Sequence, residues 1–235
     1  MPQRLRCEVT AVEDHADRVY SVLLRPEKPA PRFRAGQFLH LALDPYRSGD
    51  FWPDSRVFSI ASEPTERELL RITYAVKGAF TTRMEAELAA GGEVWVKLPY
   101  GEFTVDNGTE ACLLAGGTGI TAFTAFLASL PAEHAHRIDL FYGARRSDLL
   151  IYRPLVHEAA QRCPKLQVHY FAEQNTNGAD CAPGRLELDT IWRLSPDRPE
   201  RTYYLSGPPQ MLEALREGLG ERGVEPARVV VDAWE

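Results

Sequence analysis

Near residue 107 the chain changes its period, and that change limits its possible folds more than any single motif does. Before it, short runs of β-branched and aromatic residues (6–12, 19–25, 37–43, 56–60, 69–75 and 94–98) are separated by turn-forming stretches at 26–31, 44–53, 62–68 and 90–92. Runs of this kind bounded by Pro, Gly, Asp and Ser read as strands, and with one helix among them they predict a small antiparallel β-barrel. The helix is expected over 81–90, where Met84 and Leu88 lie four apart on one face and Thr81 stands to cap the first turn.

Beyond the change the rhythm becomes strand, glycine turn, helix. Ala111-Cys112-Leu113-Leu114-Ala115 is a continuous apolar run, the pattern of a strand covered on both faces. Residues 121–130 then place Phe123, Phe126, Leu127 and Leu130 at helical spacing. The alternation repeats through 138–142, 155–161, 166–171, 202–205, 211–219 and 229–232, which predicts an α/β domain with a doubly wound parallel sheet. The polar segment Asp106-Asn107-Gly108-Thr109 marks the boundary, giving a barrel domain over 1–107 and an α/β domain over 108–235. Residues 172–184 read as a polar surface loop.

Several function classes are disfavoured. A formal net charge of −6, with basic residues scattered apart from Arg145-Arg146, is the wrong surface for a nucleic-acid binder. The first residues lack the apolar stretch of a signal peptide and nowhere do 18 uncharged apolar residues run together, so no membrane insertion and a cytoplasmic location are expected. Cys7, Cys112, Cys163 and Cys181 are far apart, without metal or iron-sulfur spacing, and Cys112 reads as a core residue. The histidines form no metal or triad pattern and read as solvated or capping residues.

Four ordered segments carry chemistry. Arg56-Val57-Phe58-Ser59 combines a permanent cation, an aromatic plane and a hydroxyl on one extended stretch, the group types that a flavin's phosphate, ring and redox nitrogen require. About twenty residues on, Val76-Lys77-Gly78-Ala79-Phe80-Thr81-Thr82 joins a glycine turn to a helix start, where free backbone N–H groups and the positive dipole end attract an anion. Gly116-Gly117-Thr118-Gly119 ends the buried strand and opens a helix, the context in which a glycine loop cradles a pyrophosphate. Near the end of the chain, Ser206-Gly207-Pro208-Pro209 follows another strand.

In that order the segments resemble the ferredoxin-NADP reductase family, in which a flavin-binding barrel precedes a nicotinamide-binding α/β domain. The resemblance implies that Arg56 meets the flavin phosphate, that Val57 and Phe58 lie against the flavin and that Ser59 approaches N5. Tyr74, Val76, Gly78, Thr81 and Thr82 complete the flavin site under the same resemblance. It assigns Gly116, Gly117, Thr118 and Gly119 to the pyrophosphate of the nicotinamide cofactor. Ser206, Gly207 and Pro208 match the family's Cys-Gly-Pro beside the nicotinamide, with Ser206 in place of the cysteine. Trp234 matches a terminal aromatic that covers the flavin ring, and Asp232 a terminal acidic residue. Ser59, Ser206 and Trp234 are thus the candidate catalytic residues.

FAD is preferred over FMN on resemblance alone. Arg145 and its neighbour Arg146 suit either a 2′-phosphate or a solvated loop, so the choice between NADH and NADPH stays open. The implied activity is an NAD(P)H-dependent flavoprotein reductase serving a redox partner protein or small acceptor, such as ferredoxin, flavodoxin or an oxygenase component. Alternatives are a free-flavin reductase, an electron-transfer subunit of a larger complex and a non-catalytic nucleotide-binding module.

Overall fold

In the computed structural model, which describes residues 2–178 and 180–232, the chain divides into two compact units, Met1–Thr104 and Val105–Glu235. The first is a nearly closed antiparallel barrel. Its strands are β1 (Gln3–Asp14), β2 (Val19–Pro26), β3 (Phe38–Ala42), β4 (Ser55–Ser59), β5 (Leu70–Ala75) and β6 (Glu93–Tyr100), in the order β4-β3-β6-β1-β2-β5. The two edge strands approach just past β4, where the Ala61 amide donates to the Arg71 carbonyl at 2.8 Å. Alternation along the strands fills the barrel: Leu5, Cys7 and Val9 of β1, Val22 and Leu24 of β2, and Leu39 and Leu41 of β3 are fully buried in one cluster.

One helix, α1 (Ala79–Glu87), plugs an end of this core with Phe80 and Met84. It starts two residues earlier than expected and stops three earlier. Gly78 is the N-cap and Thr81 the third helical residue, while Leu88 is the C-cap. The sequence reading missed Phe80 because it falls where the turn was placed, yet Phe80 and Met84 are the pair four apart that faces inward.

The second unit is a parallel sheet of β7 (Ala111–Gly116), β8 (Ile138–Arg146), β9 (Leu166–Gln174), β10 (Ala182–Pro183), β11 (Thr202–Ser206) and β12 (Val229–Val231), in the order β10-β9-β8-β7-β11-β12. Helices α2 (Thr121–Ser129), α3 (Arg153–Arg162), α4 (Leu188–Leu194) and α5 (Pro209–Glu221) connect the strands. Part of the expected loop at 172–184 is strand, since β9 runs to Gln174 and pairs with β10. Helix α4 escaped the sequence reading because only two of its seven residues, Leu188 and Ile191, are buried, too few for a visible period.

Both faces of β7 are covered, and all its residues are buried. Below the sheet, Arg201 and Asp139 are both fully buried and paired at 2.6 Å, and Ser195 Oγ donates to the same Asp139 oxygen at 2.6 Å. Burial works to raise the Asp139 pKa, but hydrogen bonds from Arg137 and Ser195 and the Arg201 charge hold it below the ordinary carboxylate value. His134 is buried rather than solvated, and its Nδ1 accepts the His136 amide at 3.2 Å.

Candidate functional site

On the barrel, β4 pairs with β3 so that Arg56 stands opposite Leu41 and Phe58 opposite Leu39, whereas Val57 and Ser59 stand opposite His40 and Phe38. Arg56 and Phe58 therefore share the inward side of an edge strand, and Val57 and Ser59 the outward side. Phe58 packs against the core and meets Tyr74 edge-on, with centroids 6.1 Å apart.

The guanidinium of Arg56 lies 5.1 Å above the ring of Phe80, in the first turn of α1. This contact brings the Arg56 segment to the glycine turn. Arg56 is not idle there, since it donates to Asp54 Oδ1 and to the Ser55 carbonyl, both at 2.8 Å. With Arg56 53% and Asp54 66% exposed, that ion pair is wet and exchangeable.

The hydroxyl of Thr81 accepts the amides of Lys77 (2.9 Å) and Gly78 (3.1 Å) and donates to the Gly78 carbonyl at 3.1 Å. One donor and two lone pairs are all a hydroxyl has, so Thr81 shapes the turn, and the direct hydroxyl donor expected of it is spent. What remains for an anion is the set of first-turn N–H groups, which have no intrahelical acceptor, and the exposed Thr82. The first turn of α1 carries no acidic residue. A Cβ at Gly78 would meet nothing within 4 Å, so the approach is open.

Tyr74 is 3% exposed, and its hydroxyl, in a buried position, has no hydrogen-bond partner among the described residues. Burial, then the nearby Tyr20 and Glu85, push its pKa well above the usual phenol value, so it is a donor. An unsatisfied buried hydroxyl costs about 1–3 kcal/mol, and a water or a ligand that supplies the partner removes that cost. Val76 offers less, because its amide is bonded to the Arg18 carbonyl at 3.0 Å. The set of an open helix start, a cation over it and an orphaned donor between apolar rings fits a phosphate-bearing aromatic cofactor.

In the second unit, β7 has β8 on one side and β11 on the other, with Ser206 in register with Ala115. Connections leave β7 toward one side and return on the other, which opens a crevice at the carboxyl ends of β7 and β11. The four candidate glycine-loop residues serve different ends. A Cβ on Gly119 would sit 2.4 Å from the Ser206 carbonyl oxygen, and one on Gly116 2.6 Å from Met211 Sδ. Those two glycines let the loops after β7 and β11 pack together. Gly117, at φ +55°, has nothing within 4 Å of its Cβ position and faces open space. Thr118 accepts the Thr121 hydroxyl on its carbonyl at 2.9 Å.

Gly207 also approaches this packing, its Cβ position 3.0 Å from Gly116 Cα. Pro208 precedes α5 as its N-cap. The hydroxyl of Ser206, 1% exposed, donates to Asp232 Oδ2 at 3.0 Å, a pair that the sequence reading did not join. Trp234 lies outside the described residues. At the end of β8, Arg145 is exposed and Arg146 forms a two-pronged pair with Asp148. Among the described residues no three His, Cys, Asp or Glu side chains gather as a metal site, and no helix is long and apolar enough to cross a membrane.

A family model of the oxidoreductase NAD-binding domain matches residues 113–217. The chain is 32% identical over 168 residues to an NAD(P)H-flavin reductase of Vibrio harveyi, covering 67% of this chain and 68% of that protein. It is 26% identical over 243 residues to the reductase component of propane 2-monooxygenase from Mycolicibacterium goodii, covering 99% and 68%. Among solved structures, the cytochrome P450 reductase GcoB of Amycolatopsis superposes with a TM-score of 0.83 at 24% identity, over 99% of this chain and 70% of that one.

Proposed function

The chain belongs to the ferredoxin-NADP reductase-like family of NAD(P)H-dependent flavin oxidoreductases, and from that premise we propose that it holds FAD on residues 1–107, binds NAD(P)H on 108–235, and serves an acceptor such as ferredoxin, flavodoxin or an oxygenase component. The observation that carries the reading is the contact of Arg56 with Phe80, which joins a cation to an acid-free helix start beside the orphaned Tyr74 hydroxyl. A flavin held there would supply hydride acceptance from the nicotinamide and electron delivery to the acceptor.

The protein's own groups bind and orient. Arg56 and the first-turn amides of α1 neutralise phosphate, with Thr81 holding the turn and Thr82 adding a donor. Phe58 and Val57 flank the flavin, Ser59 supplies a hydroxyl toward its redox nitrogen, and Tyr74 donates to the flavin from the barrel interior. Val76 contributes apolar contact. On the second unit Gly117 and Thr118 leave room for the pyrophosphate, while Gly116 and Gly119 fix the crevice. Ser206, oriented by Asp232, sits with Gly207 and Pro208 at the nicotinamide end, and Trp234 is assigned there on its sequence position. Arg145 lies at the adenosine end. No general base is required, since catalysis here consists of holding donor and acceptor in contact and excluding water.

The name of the Vibrio harveyi relative favours a second reading, in which flavin is a departing substrate. Absorbance spectra of purified protein before and after anaerobic NADH or NADPH test the proposal. A flavin band that survives dialysis and bleaches on reduction is expected. Loss of flavin on dialysis with reductase activity restored by added flavin would select the second reading, and absence of bleaching with either coenzyme would refute both.

A further inference from the structure

A groove lies on the outer face of the barrel. β1 and β6 pair with Arg4 opposite Lys97 and Arg6 opposite Trp95, so these side chains stand on one face. The loop between β3 and β4 packs onto that face, where Tyr46 meets Trp95 at 5.8 Å and Trp52 at 5.4 Å between ring centroids. Arg4, Lys28, Tyr46, Trp95 and Lys97 line a groove of about 700 Å³, within the range of small-molecule sites.

The charges set this groove apart. The chain carries a formal net charge of −6, and in the same unit Arg6, Arg18, Arg25, Arg34 and Arg83 each have a carboxylate partner. Among the described residues Arg4, Lys28 and Lys97 have none, nor do Arg32, Arg47 and Arg67, and the first three meet in this one groove. Arg4 is nonetheless held in place. Its Nη1 donates to the Tyr46 hydroxyl at 2.7 Å, and its guanidinium carbon lies 4.9 Å over the Tyr46 ring. Lys97 Nζ is 5.4 Å from the Tyr100 ring centroid. Three like charges gathered against aromatic walls repel one another, and the arrangement is favourable when an anion enters. A positioned guanidinium binds a carboxylate or phosphate with little further loss of freedom, and the walls of Trp95 and Tyr46 select an anion that carries a ring.

We propose that this groove binds an aromatic anion, a ring bearing a carboxylate or a phosphate, at a site separate from both halves of the redox site. Calorimetric titration of the flavin-loaded protein with benzoate, phenyl phosphate, inorganic phosphate and benzyl alcohol tests it and separates the two anion types. At least one aromatic anion is expected to bind at one site at least ~10-fold more tightly than both inorganic phosphate and benzyl alcohol. Binding should weaken at least ~5-fold in Lys28→Gln and in Lys97→Gln, and should be unchanged in Arg25→Gln. Lys28 is exposed and outside the sheet, so its substitution leaves the barrel intact. Failure of both benzoate and phenyl phosphate to bind more tightly than inorganic phosphate and benzyl alcohol, indifference to both lysine variants, or no binding of any probe at ~10 mM would each overturn the proposal.

Discussion

Replacing Arg56 tests the flavin site most directly, because the structure shows the contacts that its guanidinium makes within the protein. A charge-assisted hydrogen bond contributes about 1.5–3 kcal/mol. Against this, a phosphate must compete with Asp54, whose exposed pair with Arg56 is worth about 0.2–1 kcal/mol. Arg56→Ala should therefore weaken FAD binding by about 0.5–2.8 kcal/mol, or roughly 2–110-fold. Asp54→Asn should act in the opposite direction, tightening FAD by about 1.4–5-fold as the guanidinium is released. Arg56→Lys keeps the charge but loses the planar fork over Phe80, and an intermediate affinity is expected. The assay is titration of apo-protein with FAD, followed by quenching of flavin fluorescence. Urea denaturation of each apo variant supplies the folding control, where a surface pair should matter by no more than about 1 kcal/mol. If folded Arg56→Ala binds FAD within about twofold of the parent, Arg56 does not hold the flavin phosphate and the reasoning fails.

Tyr74→Phe should show a change of sign: with the unsatisfied hydroxyl gone, the apo-protein gains about 1–3 kcal/mol, while FAD binding weakens. Equal stabilisation of apo and flavin-loaded protein in thermal melts would mean that the hydroxyl does not meet the flavin. At the glycine loop, Gly117→Asn tolerates the left-handed backbone and places a side chain in open space, so the Michaelis constant for NAD(P)H should rise about 10-fold with the fold intact. Gly119→Ala should instead lose about 1–3 kcal/mol of stability by overpacking, and the reverse pattern would reassign both residues. Asp139→Asn leaves Arg201 buried beside a neutral partner and should cost about 3–5 kcal/mol in urea denaturation. Because the folded Asp139 pKa is lowered, its contribution is complete above the unfolded value near 3.8 and is lost as pH falls through the folded value. Parent protein should therefore show an acid-side loss of stability below about pH 4 that Asp139→Asn lacks.

Local pattern was sufficient for most of the fold. The period-two runs before residue 107 became the six barrel strands with ends shifted by a few residues, and the unbroken apolar run 111–115 became the central strand of the parallel sheet. Such strands advertise themselves because burial of one face or of both writes the period into the residues. The ordered motifs also supplied the segments of the proposed site, since a cation, a glycine turn and a helix start have their chemistry wherever they fold. Which members of each motif are free to act was decided only by contacts between distant residues. Thr81 looked like a ligand donor until its hydroxyl was found closing its own turn, and Gly116 and Gly119 looked equivalent to Gly117 until the loop after β11 was seen against them. The pairing of Arg56 with Phe80, of Ser206 with Asp232, and of Arg4 with Tyr46 spans 24, 26 and 42 positions. No local period records such pairs, because they arise from strand register and helix packing, and these are fixed only when the whole unit has folded.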